Sequence, residues 1–246
     1  MLGVSVETDF NSTAPIQRSG GYTSINDDWG FSITTLSTLF SKEEDEDWDA
    51  SGIGTLQHNK MSLMRQDINI LGHYHLRTGY HLFGGANYSK VSFNRHHFRE
   101  GEGANKFRSE VLGPDHPFKP DDISGAISEE QVTFQVKAGV GYDSYFVDLT
   151  EGLRFNWEAS IALPIYRRAI NSSETVVLTE IFNEGYTVNA AVGVGWQFSK
   201  HFSVNYRAEA VYAYHAEIGD LKEDGIVLPA TEMYGVANFV TAYWNF

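Results

Sequence analysis

Cysteine is absent from the 246 residues, which removes disulfides, thiolate zinc sites and cysteine nucleophiles together. Long hydrophobic runs are absent too. No apolar stretch approaches the roughly 20 residues that a spanning helix needs. Cations are scarce, 18 Lys and Arg against 32 Asp and Glu, for a formal net charge of −14. Nucleic acid needs concentrated Lys and Arg, so it is excluded as a partner. The start, MLGVSVETDF, lacks the basic head and apolar core of a signal peptide. An exported form would therefore have lost its signal. No glycine-rich phosphate loop is present either: VGVGW (192–196) and GVGY (139–142) are strand glycines rather than a strand-to-helix GxGxxG. No cofactor is implied.

What remains is 42% apolar, 20% charged and 14% aromatic, with 23 glycines. That is neither a disordered chain nor a helical membrane bundle. A mean hydropathy of −0.30 taken alone suggests solubility. Glycine with Tyr, Phe and Trp suits strands and tight turns.

Period two runs through almost the whole chain. In HFSVNYRAEAVYAYHAE (201–217) the even positions, from Phe202 to Ala216, are all apolar, and the odd positions are mostly polar. The same split recurs at 185–198 (Val188, Val192, Val194, Trp196, Phe198), at 131–142 (Val132, Phe134, Val136, Val140) and at 147–166 (Leu153, Phe155, Trp157, Ile161, Leu163). Alternation alone does not orient the faces. A soluble barrel buries the apolar side, and a membrane barrel shows it to lipid.

Three features choose the membrane. Tight joints at Asn26–Asp28, Arg77–Gly79, Asp143–Phe146 and Ser199–His201 alternate with long polar segments at about 42–57, 94–128, 168–183 and 218–230. That places short turns on one rim and long loops on the other, the asymmetry of an outer-membrane barrel. Several segments are also far longer than the usual 5–6 residues of globular strands. Finally, the chain closes on ATEMYGVANFVTAYWNF (230–246), with Val240, Ala242, Trp244 and Phe246 on one face. This resembles the terminal strand of Gram-negative outer-membrane β-barrels. The resemblance is one of class and implies that the Phe246 strand is read by the outer-membrane assembly machinery.

The expected fold is thus all-β, a single transmembrane antiparallel up-and-down barrel over 1–246 in the bacterial outer membrane. Eight strands lie at about 29–41, 58–76, 80–93, 130–142, 147–167, 185–198, 202–217 and 231–246. Residues 2–10 and the strand entering the Asn26–Asp28 turn make ten, with both termini on the short-turn rim. Eight, with 1–28 as an extension, is the alternative.

With the apolar face in lipid, the polar face lines a lumen containing Asp67, His73, His75, Arg77, His81, Lys137, Asp148, Arg154, Glu158, Arg207, Glu209, His215 and Glu217. In so narrow a barrel these charges pair. The Ser199–His201 turn sets Gly193 opposite Arg207 and Ala191 opposite Glu209, small residues facing large ones. In GHYHLRTGYH (72–81), His73 and His75 share a face, and His75 falls opposite His81. Three imidazoles at that spacing are a candidate transition-metal site. KEEDEDWD (42–49) reads as a solvated acidic loop, with divalent-cation capture near lipopolysaccharide as a sharper reading. The basic half of 94–128 (Arg95, His96, His97, Arg99, Lys106, Arg108) suits lipid phosphates.

No His-x-Ser or Asp-x-His dyad sits at the outer end of a strand. His215 with Glu217 is the nearest base and carboxylate. The expected function is a porin-like passive channel for small polar solutes, with outer-membrane lipid and lipopolysaccharide around it. The alternatives are a plugged barrel that binds partners through its loops and an enzyme on the outer rim.

Overall fold

The computed structural model describes residues 6–76, 79–113, 119–147, 151–172, 176–182, 184–219 and 229–245. Alternation becomes strand nearly everywhere: β1 (Val6–Asp9), β2 (Ile16–Ser24), β3 (Trp29–Thr38), β4 (Glu43–Ala50), β5 (Gly54–His75), β6 (Tyr80–Glu100), β7 (Ala126–Asp143), β8 (Gly152–Asn171), β9 (Val176–Ile181), β10 (Gly185–Ser199), β11 (Phe202–His215) and β12 (Thr231–Trp244). They form one curled, antiparallel, twelve-stranded sheet. Helix among the described residues is confined to short turns such as α1 (Ala104–Phe107).

Three pairs of strands are successive parts of one crossing. β1 and β2 pair with β4 and β3, β4 and β3 pair with the two halves of β5, and β9 and β10 both pair with β8. Among the described residues the twelve strands therefore make nine crossings, which corrects the expected count of ten or eight. The cause is local. NSTAP (11–15) interrupts one descending crossing, and its Pro15 carbonyl accepts from Leu39 N at 2.9 Å. From sequence, the two halves look like separate strands. β1 also descends from the outer rim, opposite the short turns at 25–28, 76–79 and 200–201, so the two ends do not share the short-turn rim.

The loops are corrected as well. The sheet continues through 43–50 and restarts at Gly54, which leaves only 51–53 as a turn. Strand β6 runs to Glu100, shrinking the long connection to 101–125, while 168–183 is mostly β8 and β9. Long outer strands hold these segments because each finds a paired neighbour: β5 is 22 residues and β6 is 21.

The outward face is apolar through the lower part of the wall. Val236 and Val240 are each 79% exposed, and Ile70, Val136, Leu163 and Val194 are also exposed. Aromatic side chains border this band twice. Near the short turns, Trp29 packs on Tyr74, Tyr80 on Tyr142 and Trp157, and Phe202 on Trp244. Higher up, Tyr88 meets Phe134, Phe134 meets Tyr166, and Tyr212 lies between Tyr186 and Tyr234. About ten residues separate the two rings, as from Tyr234 to Trp244. At about 3.3 Å per residue and a tilt of about 40°, that is roughly 25 Å, the height of an outer-membrane apolar band. Apolar outside, ionic inside and ringed twice by aromatics, this is the architecture of the outer-membrane β-barrel class.

Above the upper ring, β4 to β9 continue as a wall. On its inner side Ala50, Leu56 and Phe107 form a small core, with α1 laid against the sheet.

Candidate functional site

The inward faces of the strands bring their polar residues together in tiers. Arg207 on β11 and Glu209 on the same face look into the lumen because their neighbours on β10, Gly193 and Ala191, have no bulk to oppose them. A Cβ on Gly193 would overlap the amide oxygens of Asn156 and Asn205. Small residues thus make room for charge, and the pairing read from the Ser199–His201 turn is the one the sheet adopts.

In the middle tier the Arg207 guanidinium is ion-paired with Glu158 on β8 and lies 3.5 Å from Glu209. Glu209 also accepts from Arg18 on β2 at 2.8 Å and from Asn189 at 3.0 Å. One carboxylate therefore joins strands from the two ends of the sheet. Toward the outer rim Asp67 pairs with Arg65 at 2.7 Å and accepts from Ser89. Arg167, fully buried, donates to the Ala216 carbonyl at 2.6 Å and to Gln131 at 2.9 Å. In the wall above, Arg95 on β6 reaches Glu46 on β4 and Glu129 on β7, with the Asn59 amide completing Glu46 at 2.7 Å.

The lowest tier is aromatic. His73, His75 and His81 do come together, with ring centroids 5.5 to 6.3 Å apart, and His75 is directly opposite His81. Ser32 Oγ lies 2.8 Å from His73 Nε2, and the Tyr22 hydroxyl bonds His75 Nε2. Phe146, from the turn between β7 and β8, packs tilted against His75, with ring centroids 4.3 Å apart. Hydrogen bonds thus hold Nε2 of His73 and His75 and ring contacts surround His81, while Nδ1 of His75 and of His81 is buried without a hydrogen-bond partner among the described residues. Among the described residues no three His, Cys, Asp or Glu side chains are grouped to hold a metal ion.

The other sequence candidates divide. Arg154 is buried and donates to the Ser144 carbonyl at 3.2 Å, tying down the turn that carries Phe146. His215 ends β11, and Glu217 lies beyond it, exposed at the outer rim rather than on the lumen wall. Arg77, Asp148 and Phe246 lie outside the described residues. KEEDEDWD is a strand, not a free acidic loop. Its outward Asp45 and Asp47 pair with Lys60 at 2.5 Å and His58 at 2.6 Å, and its inward Glu46 holds Arg95. Arg95 is therefore not a lipid-phosphate contact. Arg108 likewise pairs with Glu100.

Sequence reasoning missed Arg18, Glu46, Glu129 and Arg167. The inward Glu44, Glu46, Trp48, Ala50 alternation was the available signal for the acidic strand.

No family model matches this chain, and no curated protein matches it. Among solved structures it is similar to in-vitro folded OmpT, an outer membrane protein of Vibrio cholerae, at 9% identity over 98% of this chain and 63% of that one, with a TM-score of 0.25. The chain thus spans less than two thirds of that protein's length.

Proposed function

We propose that the chain is a small outer-membrane barrel sealed by its own side chains, whose projecting wall acts as a binding module at the cell surface. One observation carries this reading: the Arg18–Glu209–Arg207–Glu158 chain links β2, β11 and β8 through the lumen. A second ionic knot at Arg95 and Glu46 lies above it. Charges so paired are not free to escort a solute, and breaking any one pair strands a buried partner. The wall from β4 to β9 then offers the surface that stands clear of the apolar band. Just above the upper ring the Lys90–Glu130 pair, at 2.5 Å, is placed to meet lipopolysaccharide headgroups.

A porin-like channel for small polar solutes is the second reading. It is favoured by the buried Oδ1 atoms of Asn156 and Asn205 and Oε1 of Gln197, which have no protein partner. Unmatched buried acceptors of this kind suit water inside the lumen.

Planar-bilayer conductance decides between the two. Purified, refolded protein is expected to be electrically silent, and the triple variant Glu158→Ala, Arg207→Ala, Glu209→Ala is expected to show discrete openings. Steady single-channel currents from the unaltered protein would overturn the sealed barrel.

A further inference from the structure

Strands β2 and β12 each keep one side without a ladder partner among the described residues. Both descend from the outer rim, so they run parallel to one another. In hydrocarbon, backbone N–H and C=O groups must be satisfied internally, and a spanning sheet is closed.

The inner faces of these two edges already meet. Arg18 Nη2 on β2 donates to both carboxylate oxygens of Glu209, at 2.8 and 3.0 Å. Its guanidinium carbon lies 4.2 Å from the centroid of the Phe239 ring on β12. Glu209 is opposite Ala237 and Arg207 is opposite Phe239. Arg18 therefore stands at the height of Ala237 to Phe239, and Ser24, at the foot of β2, falls beside the last residues of β12.

Register supplies an independent measure. Following directly opposed residues around the sheet from Gly235 on β12, through Gly139 and His73, leads to Ser24 on β2. The contacts place Ser24 near Trp244 instead, so the sheet returns to its start displaced by about eight to ten residues. A displacement of that kind is the shear of a closed barrel, and an eight-stranded barrel of shear 8 has strands tilted about 36°. Nine crossings with a shear of this size need a similar tilt.

We infer that the wall closes on itself through a parallel β2–β12 seam, with Arg18 clamped to Glu209 on its inner side. Every other ladder among the described residues is antiparallel. Parallel pairing is slightly weaker per residue, so the seam is the line along which the wall parts first.

The absence of native cysteine makes disulfide trapping clean. In the full chain refolded in detergent, Ser19→Cys is combined in turn with Asn238→Cys and with Val240→Cys, then oxidised. One of these pairs is expected to give an intramolecular disulfide, read as a faster monomer on non-reducing electrophoresis. The reference is Ser203→Cys with Tyr243→Cys, residues opposed on β11 and β12. Should the Ser19 variants fail to refold, Thr23→Cys with Ala242→Cys or Trp244→Cys probes the same seam lower down. Disulfide-linked dimers would mean that a second copy supplies the strand at the edge. No cross-link while the reference pair closes would mean that another segment lies between the edges. Either result overturns the inference.

Discussion

The guanidinium of Arg95 closes on both carboxylate oxygens of Glu46, at 2.7 and 3.1 Å, although the two residues stand on β6 and β4 with all of β5 between them. Glu46 is fully buried, and Arg95 lies over the rings of Trp48 and Phe93. The charge pair therefore sits inside the wall above the upper aromatic ring, where little solvent reaches to replace a lost partner.

Glu46→Ala should destabilise the folded protein by about 3–5 kcal/mol, because it leaves a buried cation with Glu129 alone. Replacing both partners, Glu46→Met with Arg95→Met, should recover most of that loss. Urea unfolding in detergent micelles, arranged as a double-mutant cycle, measures both. A double variant that loses the sum of what Glu46→Met and Arg95→Met each lose alone would show that the pair is not coupled.

Lipid contact should be sharply depth-dependent. Val240 lies between the two aromatic rings and is almost fully outward, so Val240→Arg is expected to cost about 2–4 kcal/mol, the value for a cation near the bilayer midplane. Val177 on β9 is also exposed but lies above the upper ring, where the same change should cost about 0–1 kcal/mol. Unfolding midpoints of the two variants in lipid vesicles make the comparison, and similar costs would contradict the placement of the band.

Tryptophan reports the same geometry without altering charge. In variants that keep one tryptophan, lipids brominated along the acyl chain should quench Trp196 and Trp244, which face outward in the lower ring. Trp48 should be spared, since it packs under Arg95 in the projecting wall. Strong quenching of Trp48 would place β4 in the membrane.

Which side of each strand faces out was legible in the sequence, because period two is a local property and Val192, Val194, Trp196 and Phe198 state it within a few residues. Close registers were legible for the same reason: a two-residue turn fixes Gly193 against Arg207, and His75 against His81 follows likewise. The acidic strand was legible only through the weak alternation that ends on Trp48 and Ala50. Nothing near Glu46 in sequence signals that its cation will come from Arg95, 49 residues away, so an unbroken run of carboxylates reads as loop until its distant counter-charges are known. The number of crossings failed for the opposite reason. The Asn11–Pro15 interruption is a strong local break signal, yet the descending crossing resumes beyond it because β4 and β3, themselves aligned along the unbroken β5, offer it successive partners.

The spacing of the two aromatic rings also decides which bilayers the protein tolerates. Two residues beyond Tyr88 the outer surface turns ionic, at Lys90 and Glu130. A bilayer a few ångströms thicker than the band, such as one near the ordinary thickness of about 30 Å, would draw that ion pair into acyl chains or force the membrane to thin around it. Hydrophobic mismatch costs only fractions of a kcal/mol per ångström, but it acts around the whole circumference. The molecule should therefore partition into short-chain lipid and leave longer chains.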